Sequence, residues 1–366
     1  MKKSVFVRLG SQPVPRVQRG MKVAGEMGYD TIFCGAFRKV GLKKKEVWAG
    51  FPLIRVGRVF PLLNGRRPFL YLYSVIFFQF AFLRFLMAHR PQLIHASDAE
   101  TMPASIVYSK IAGVKLIYNI HDNLAQRYNV PRFISVILNA IEGLMVLLSD
   151  ASLVPEVFRR DALPKRCRGK VQVVRNTPED LRYSAPTFDD KGTIRIFYGG
   201  WLDWGRGFRE MVALTEALPE VNLRVAGEGS EEIIQFIKDH PQITYLGFLE
   251  HSQSLEETKL CHFVPAFYKP VITINRYAAS NKLAEALAIG RPLLINEEVE
   301  IVSLFGDSPA AIVKKFGDIE GTAEVVRTLF SDHGKYVQAC LKARELYEKY
   351  YRWEIAHETM RRVFGD

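Results

Sequence analysis

At 366 residues, with 48% apolar and 24% charged side chains, the chain is too long for one ordinary core and too apolar to be disordered or fibrous. Its basic excess is one-sided: residues 1–170 hold 27 Lys and Arg against 10 Asp and Glu, and residues 171–366 hold 23 against 29. Two domains follow, the first facing something anionic, whether a phospholipid surface, a pyrophosphate-bearing molecule or nucleic acid; no helix-turn-helix, zinc or single-strand-binding signature supports nucleic acid.

Cys34, Cys167, Cys261 and Cys340 lie far apart without paired spacing, so neither a zinc site nor a disulfide framework is indicated, and a reducing compartment is expected. Met1-Lys2-Lys3-Ser4 runs directly into Val5-Phe6-Val7, with too few apolar residues before Arg8 for a signal peptide. A cytoplasmic location is expected.

In chain order, Ser4–Leu9 reads as a strand, Gly10–Pro15 as a loop and Arg16–Met27 as a helix. After the turn Gly28-Tyr29, Asp30–Cys34 is a second strand. This is the βαβ rhythm of a parallel sheet, and the loop from Gly10 and Ser11 to Pro13 falls at the carboxyl end of the first strand, where open α/β sheets bind ligands. Arg38–Lys45 (RKVGLKKK), with Arg55, Arg58, Arg66 and Arg67, makes a dense basic region before a long helix, Pro68–Arg90. That helix is apolar to Leu83 apart from Ser74 and Gln79, a run shorter than the ~20 residues a bilayer span requires. Two readings stay open: a helix buried on most sides, or one resting an aromatic face at a lipid interface on the inner side of the cell membrane.

Gln92–Ala96 and Val114–Ile120 are further strands. Their ends carry His95, Asp98 and Glu100, and His121-Asp122-Asn123. In a parallel sheet both ends point to one edge, which puts His95, Asp98, His121 and Asp122 along one crevice. Imidazole and carboxylate there can hydrogen-bond or deprotonate a hydroxyl, although a single His is more often structural. Phe133–Leu148 is an apolar helix, and Ala151–Pro155 and Val171–Arg175 are strands. The polar stretch from Asn176 to Lys191 is read as the linker between domains.

The second half restarts with the strand Ile194–Tyr198 and the loop from Gly199 to Gly207, which opens a helix through Leu218 with Arg206 at its entrance. Leu223–Ala226 with Gly227 and Gly229, the helix Glu231–Asp239, the strand Thr244–Leu246 and the strand His262–Ala266 follow. Next comes SNKLAEALAIGRP, Ser280 to Pro292. Leu283, Ala286, Leu287 and Ile289 repeat at helical spacing behind the N-cap pair Ser280-Asn281, and Gly290 stops the helix before Leu293-Leu294-Ile295. A helix entered this way presents unpaired N–H groups and a positive dipole end, and Lys282 adds a full charge. Lys282 and Glu285 share a face, one suited to phosphate and the other to sugar hydroxyls, although such a pair alone is most often a solvated ion pair.

The succession FYGGWLDWGRGF, LRVAGEG, ITYLGFLE and SNKLAEALAIGRPLL resembles the donor-binding domain of GT-B glycosyltransferases, especially family 4 and its relatives in bacterial polysaccharide assembly. VRLGSQPVPRVQRGMKVAGEMGYDTIFCG and QLIHASDAE…LIYNIHDN agree in the first half. The resemblance implies an α/β GT-B fold, two Rossmann-like doubly wound parallel-sheet domains facing each other across a cleft. The first would cover residues 1–178, the second 192–346, and a last helix, Tyr347–Phe364 within residues 347–366, would cross back to the first.

It also implies a metal-independent glycosyltransferase using a nucleotide diphosphate sugar, with a UDP-sugar foremost, as co-substrate and no other cofactor. Gly200, Trp201, Arg206, Gly227, Gly229, Phe248, Tyr268, Ser280, Asn281, Lys282, Leu283 and Glu285 fall at its donor site, Glu285 on the ribose and Arg206 and Lys282 on the diphosphate. Gly10, Ser11 and Arg16 fall on the acceptor side, and His121, Asp122 and Asp98 at the chemistry. The acceptor would be a saccharide, with a polyprenyl-pyrophosphate carrier as one form, which would account for the basic half and an anionic membrane as partner. Tyr277 stands where retaining members carry a further glutamate, and Gly200-Trp201 where an arginine is common, so the donor sugar and the choice between retention and inversion stay open. A GT-B epimerase and a catalytically inactive glycan-binding subunit are the alternatives.

Overall fold

The computed structural model describes residues 2–58, 68–128, 130–179, 181–188 and 192–365, and for 68–70 the backbone alone. Arg66 and Arg67 of the basic region, and Asp180 and 189–191 of the expected linker, lie outside the described residues. The chain divides into two compact units, Met1–Arg175 with Ala356–Asp366, and Asn176–Ile355.

In the first unit the elements are β1 (Lys2–Arg8), α1 (Pro15–Glu26), β2 (Tyr29–Ala36), β3 (Lys45–Trp48), β4 (Phe51–Val56), α2 (Pro68–His89), β5 (Leu93–Ser97) and α3 (Met102–Ala112). They continue with β6 (Lys115–Asn119), α4 (Leu124–Arg127), α5 (Arg132–Leu148), β7 (Ala151–Val154), α6 (Val157–Asp161) and β8 (Val171–Val173). The sheet order is β3-β4-β2-β1-β5-β6-β7-β8, parallel except for β3 against β4. Strand order reverses between β1 and β5, so the ligand crevice of an open sheet lies beyond Arg8 and Ser97.

The β3–β4 hairpin was not foreseen. Trp48 pairs with Phe51 across Ala49 and Gly50, both at positive φ (48° and 83°), the geometry of a tight primed turn. An alanine there carries no turn signal in the sequence. Lys45 therefore starts the edge strand of a sheet, with Lys43 and Lys44 leading into it, where lysine discourages further strand pairing. Arg55 does not join a basic surface. It is fully buried, donating to Ser11 O and Lys43 O and pairing with Glu46 at 2.5 Å.

The apolar run of α2 extends over Tyr71–His89, long enough by length and composition to cross a membrane, beyond the shorter run expected. The helix is not buried on most sides: Phe78, Phe82, Phe85 and Leu86 sit in the core on the sheet, while Leu72, Tyr73, Ile76, Phe80 and Met87 face solvent.

The second unit has β9 (Ile194–Gly199), α7 (Phe208–Ala217), β10 (Val221–Ala226), α8 (Glu231–Asp239), β11 (Ile243–Tyr245), α9 (His251–Leu260), β12 (Val264–Ala266) and α10 (Thr273–Arg276). Then come α11 (Asn281–Ile289), β13 (Leu293–Asn296), β14 (Ala311–Lys314), α12 (Ile319–Ser331) and α13 (His333–Leu346); α14 (Trp353–Gly365) closes the chain and from Ala356 belongs to the first unit. Its two three-stranded parallel sheets, β11-β10-β9 and β12-β13-β14, meet through a bridge between Ile196 and Phe263. The order reverses between β9 and β12.

Two expectations about connections change. Residues of the expected linker are strapped to the second unit: Arg291, fully buried, donates to the carbonyls of Ser184, Cys261 and Lys259, each at 2.6 Å. Tyr183 covers Gly290. The last helix does not run unbroken from Tyr347. Tyr347–Tyr351 continue α13 as a π turn, Arg352 turns extended (ψ 133°), and α14 starts at Trp353. On α14, His357 pairs with Glu26 of α1 at 2.7 Å and Phe364 meets Phe6 edge to face, both within the first unit.

Candidate functional site

In the second unit the expected donor residues gather at the carboxyl ends of β9 and β12. Ser280 caps α11, its Oγ accepting from the Lys282 N–H at 3.2 Å. Gly290 (φ 84°) ends the helix, and the N–H groups of Gly290 and Arg291 close on Ala286 O. The helix entrance is thus fixed by contacts within its own sequence.

Lys282 Nζ lies 4.5 Å from the centroid of the Tyr198 ring, whose hydroxyl donates to Arg206 O at 3.1 Å. Burial, and then the positive charge of Arg206, push the lysine down to about 8, against a smaller opposing pull from Glu285. Two cations thus sit close enough to repel, with Glu285 offsetting part of that repulsion. Tyr268, raised by burial, bonds the Ser280 side chain and places its N–H on Asn296 Oδ1 at 2.8 Å. Glu285 Oε1 accepts from His251 Nε2 at 2.9 Å.

Beside them lies a cavity of about 360 Å³ lined by Gly200, Trp201, Gly227, Phe248 and His251. Trp201 and Phe248 present exposed rings. Gly227 (φ 139°) lies so close to Gly200 that a Cβ would come within 1.7 Å of its carbonyl oxygen. Gly229 approaches the backbone of Leu202 in the same way, which holds the two loops together. Leu283 is part of the core, so only its backbone faces the helix entrance. Asn281 is the first residue of α11.

In the first unit a cavity of about 650 Å³ lies at the β1/β5 crevice, lined by Gly10, Ser11, Asp98, Glu100, Asp122 and Arg127 together with Arg8, Arg38 and Tyr71. Asp98, held at φ 68°, receives Arg8 Nε at 3.2 Å, Arg127 at 3.1 Å and the His121 N–H at 3.4 Å. With these partners it fixes the loops around it rather than standing as a free base. Arg127 also pairs with Glu100 at 2.6 Å, which accepts from the Tyr71 hydroxyl at 3.0 Å. Asp122 pairs with the buried Arg159 at 2.9 Å while its own side chain is 35% exposed to the cavity. Glu142, pushed up to about 7 by burial, accepts from Leu124 N and from Tyr118 Oη and so anchors the start of α4, which carries Arg127.

Arg16 is not among the residues that line this cavity. It is buried, pushed down to about 9 by desolvation, and donates to Asn119 Oδ1 at 2.9 Å and to Val174 O. Asn119 in turn meets His121 Nε2 at 3.0 Å. His95 is stacked on Phe6 in the core and pushed down to about 3 by burial, which makes it structural. His121 is held well below the usual imidazole range by burial and then by Arg8 and Arg16.

Tyr198, His251, Asn119, Arg8 and Arg127 were missed. Their contacts with Lys282, Glu285, Arg16 and Asp98 span distant parts of the chain, and although Tyr198, Asn119 and Arg8 fall within the quoted motif strings, nothing local marked those side chains.

No family model and no curated protein sequence matches the chain. Solved structures match along its whole length. Sucrose-phosphate synthase from Thermosynechococcus elongatus aligns with a TM-score of 0.79 at 13% identity, over 100% of this chain and 98% of that one. HepE of Anabaena, in complex with UDP and glucose, aligns with a TM-score of 0.70 at 14% identity over 100% of both chains. WaaG, a glycosyltransferase involved in lipopolysaccharide biosynthesis, gives 0.68 at 14% identity, over 99% of this chain and 100% of that one. The fold of this chain is GT-B, as its motif order implied.

Proposed function

We propose that the protein is a glycosyltransferase that moves a sugar from a nucleoside diphosphate sugar to a saccharide hydroxyl. The observation that carries this reading is the convergence of Lys282 and Arg206 on Tyr198 at the entrance of α11, with Lys282 Nζ 4.5 Å from the ring centroid and Arg206 O accepting the ring hydroxyl at 3.1 Å. Bound there, a diphosphate would relieve the repulsion between the two groups and keep Lys282 protonated to higher pH, and as the glycosidic bond breaks the same groups would meet the negative charge growing on the leaving phosphate. Preorganised positive potential of this kind does the work a metal ion does elsewhere, so we infer metal independence and expect activity to survive a chelator.

The cavity beside Trp201 and Phe248 suits a nucleobase, and Glu285, oriented by His251, suits ribose hydroxyls. The UDP-bound HepE structure supports uridine as the first base to test. On the acceptor side, Asp122 is the carboxylate with exposed surface, and it fits deprotonation of a hydroxyl if the reaction inverts. An acceptor saccharide on an anionic lipid carrier, met at the inner face of the membrane, fits the basic first half of the chain.

A thermal-shift screen of UDP-, GDP- and ADP-sugars tests the reading, since a ligand that binds only the folded state raises its melting temperature. One nucleotide class should give a rise that disappears in Lys282→Ala and Glu285→Ala. No rise with any of them, or a rise kept in both variants, would overturn the site.

A further inference from the structure

We propose that the layer formed by α2, α3 and α5 is the surface by which this protein docks on an anionic phospholipid bilayer. This deepens the membrane part of the reading above and rests on it; the donor chemistry is not needed for it.

These three helices lie side by side on one face of the eight-stranded sheet, because each is the crossover of a step in the same direction, β4 to β5, β5 to β6 and β6 to β7. Their inner sides bury Phe78, Phe82, Tyr108 and Val146. Their outer sides are almost as apolar. On α5 the exposed residues Phe133, Val136, Ile137, Ile141 and Leu144 repeat at helical spacing, and Phe133 is 67% exposed. On α2, Leu72, Tyr73, Ile76, Phe80 and Met87 face out, and on α3 Val107 and Ile111. Half of the large apolar side chains exposed among the described residues fall on this one layer. A soluble surface scatters such residues; one this contiguous marks contact with an apolar phase or partner.

Charge decides which. The exposed charged residues of the three helices are Arg84, Lys110 and Arg132, all cationic. Their single carboxylate, Glu142, is fully buried. At the margins, exposed Arg58 lies 4.7 Å over the Phe77 ring, and exposed Lys165 and Arg166 sit on the short 3-10 turn that packs against α5. A second copy is a poorer occupant, since the exposed charges of these three helices are all of one sign and find no complement on the same face of a partner. Apolar side chains whose margins are mainly cationic, with Asp150 and Asp161 as exposed carboxylates beyond the helices, match the acyl boundary and headgroups of an anionic bilayer, where interfacial binding draws on both. Tyr71, at the start of α2, also lines the large cavity of the first unit, so an acceptor held in the bilayer would enter beside the docked layer.

The test is co-sedimentation of the full chain with phosphatidylcholine vesicles, with and without a quarter of phosphatidylglycerol, at low and high salt. Binding is expected to the anionic vesicles and to weaken at high salt. The combined Arg84→Ala, Lys110→Ala and Arg132→Ala variant should bind about a hundredfold more weakly, from the contribution of each cation. Phe80→Asp with Ile137→Asp should lose binding, while circular dichroism and the nucleotide-sugar thermal shift stay as in the parent. Failure of the parent chain to bind, or equal binding by both variants, would overturn the proposal. So would a concentration-dependent dimer abolished by Ile137→Asp in sedimentation velocity, which would make a second copy the occupant. Vesicle binding that follows these rules in a chain with no nucleotide-sugar shift would leave the docking proposal standing and remove the transferase reading.

Discussion

Asn119 holds His121 in one tautomer. Its Oδ1 accepts from Arg16 Nε at 2.9 Å, which turns its amide nitrogen toward His121 Nε2 at 3.0 Å. An N–H donor facing Nε2 requires a lone pair there, so the imidazole proton sits on Nδ1. Burial and the neighbouring guanidiniums keep the ring neutral. Arg16, expected at the acceptor, thus acts on His121 through Asn119.

Asn119→Asp should reverse this arrangement with little change in shape. A carboxylate oxygen opposite Nε2 draws the proton to that nitrogen and raises the imidazole, because a negative neighbour favours the cation. Nitrogen-15 chemical shifts of His121 should report the swap, and transfer should slow by about 10- to 100-fold if the ring takes part. An unchanged tautomer would remove the proposed role of Asn119.

Donor affinity should depend on pH through Lys282. The free lysine loses its proton near pH 8, and a diphosphate favours the protonated form, so binding takes up a proton and weakens by up to roughly tenfold per pH unit above that point. Calorimetric titration of UDP from pH 7 to 9.5 would show it, and Lys282→Met should be weak and flat throughout. Because the folded pKa is depressed, the charged lysine costs stability below pH 8, and the methionine variant should melt higher without ligand. A lower melting temperature would contradict the burial of the cation.

Glu142 gives the chain an inverted pH response. Its carboxyl is raised to about 7 in the folded state, so the folded chain binds more protons than the unfolded one between pH 4.5 and 7, and its contribution to stability falls as pH rises through that window. Glu142→Gln keeps an acceptor for Leu124 N–H and carries no charge. At pH 8 it should be more stable in urea than the parent by about 1–3 kcal/mol, with the gain vanishing near pH 4.5. A variant less stable at pH 8 would mean that the ionised form is the one the site prefers.

Gly227→Ala should fail at the donor cavity. The added Cβ would overlap the Gly200 carbonyl oxygen at 1.7 Å, and the backbone there has φ 139°, so the loop carrying Trp201 must move. We expect a loss of about 2–4 kcal/mol in urea unfolding and no nucleotide-dependent thermal shift. Gly247→Ala meets nothing within 4 Å and serves as the comparison, its cost confined to backbone strain at φ 72°. Equal behaviour of the two would show that the approach of Gly227 to Gly200 is not needed.

The sequence alone determined what contacts within a few residues decide. The Ser280 cap, the apolar spacing of Leu283, Ala286 and Leu287, and the Gly290 stop define α11 because capping and periodicity are local. Alternating strands and helices likewise announced parallel sheets. The tertiary structure decided what burial and long-range pairing control. Only packing could separate the cations that stay outside, Arg84, Lys110 and Arg132, from Arg16, Arg55 and Arg159, which it buries. Arg8 reaches Asp98 across 90 residues, and His251 reaches Glu285 across 34, over separations at which a chain carries no local signal. Which side of α2 meets water is likewise set by the sheet beneath it, since a helix apolar on nearly every side does not choose its own face.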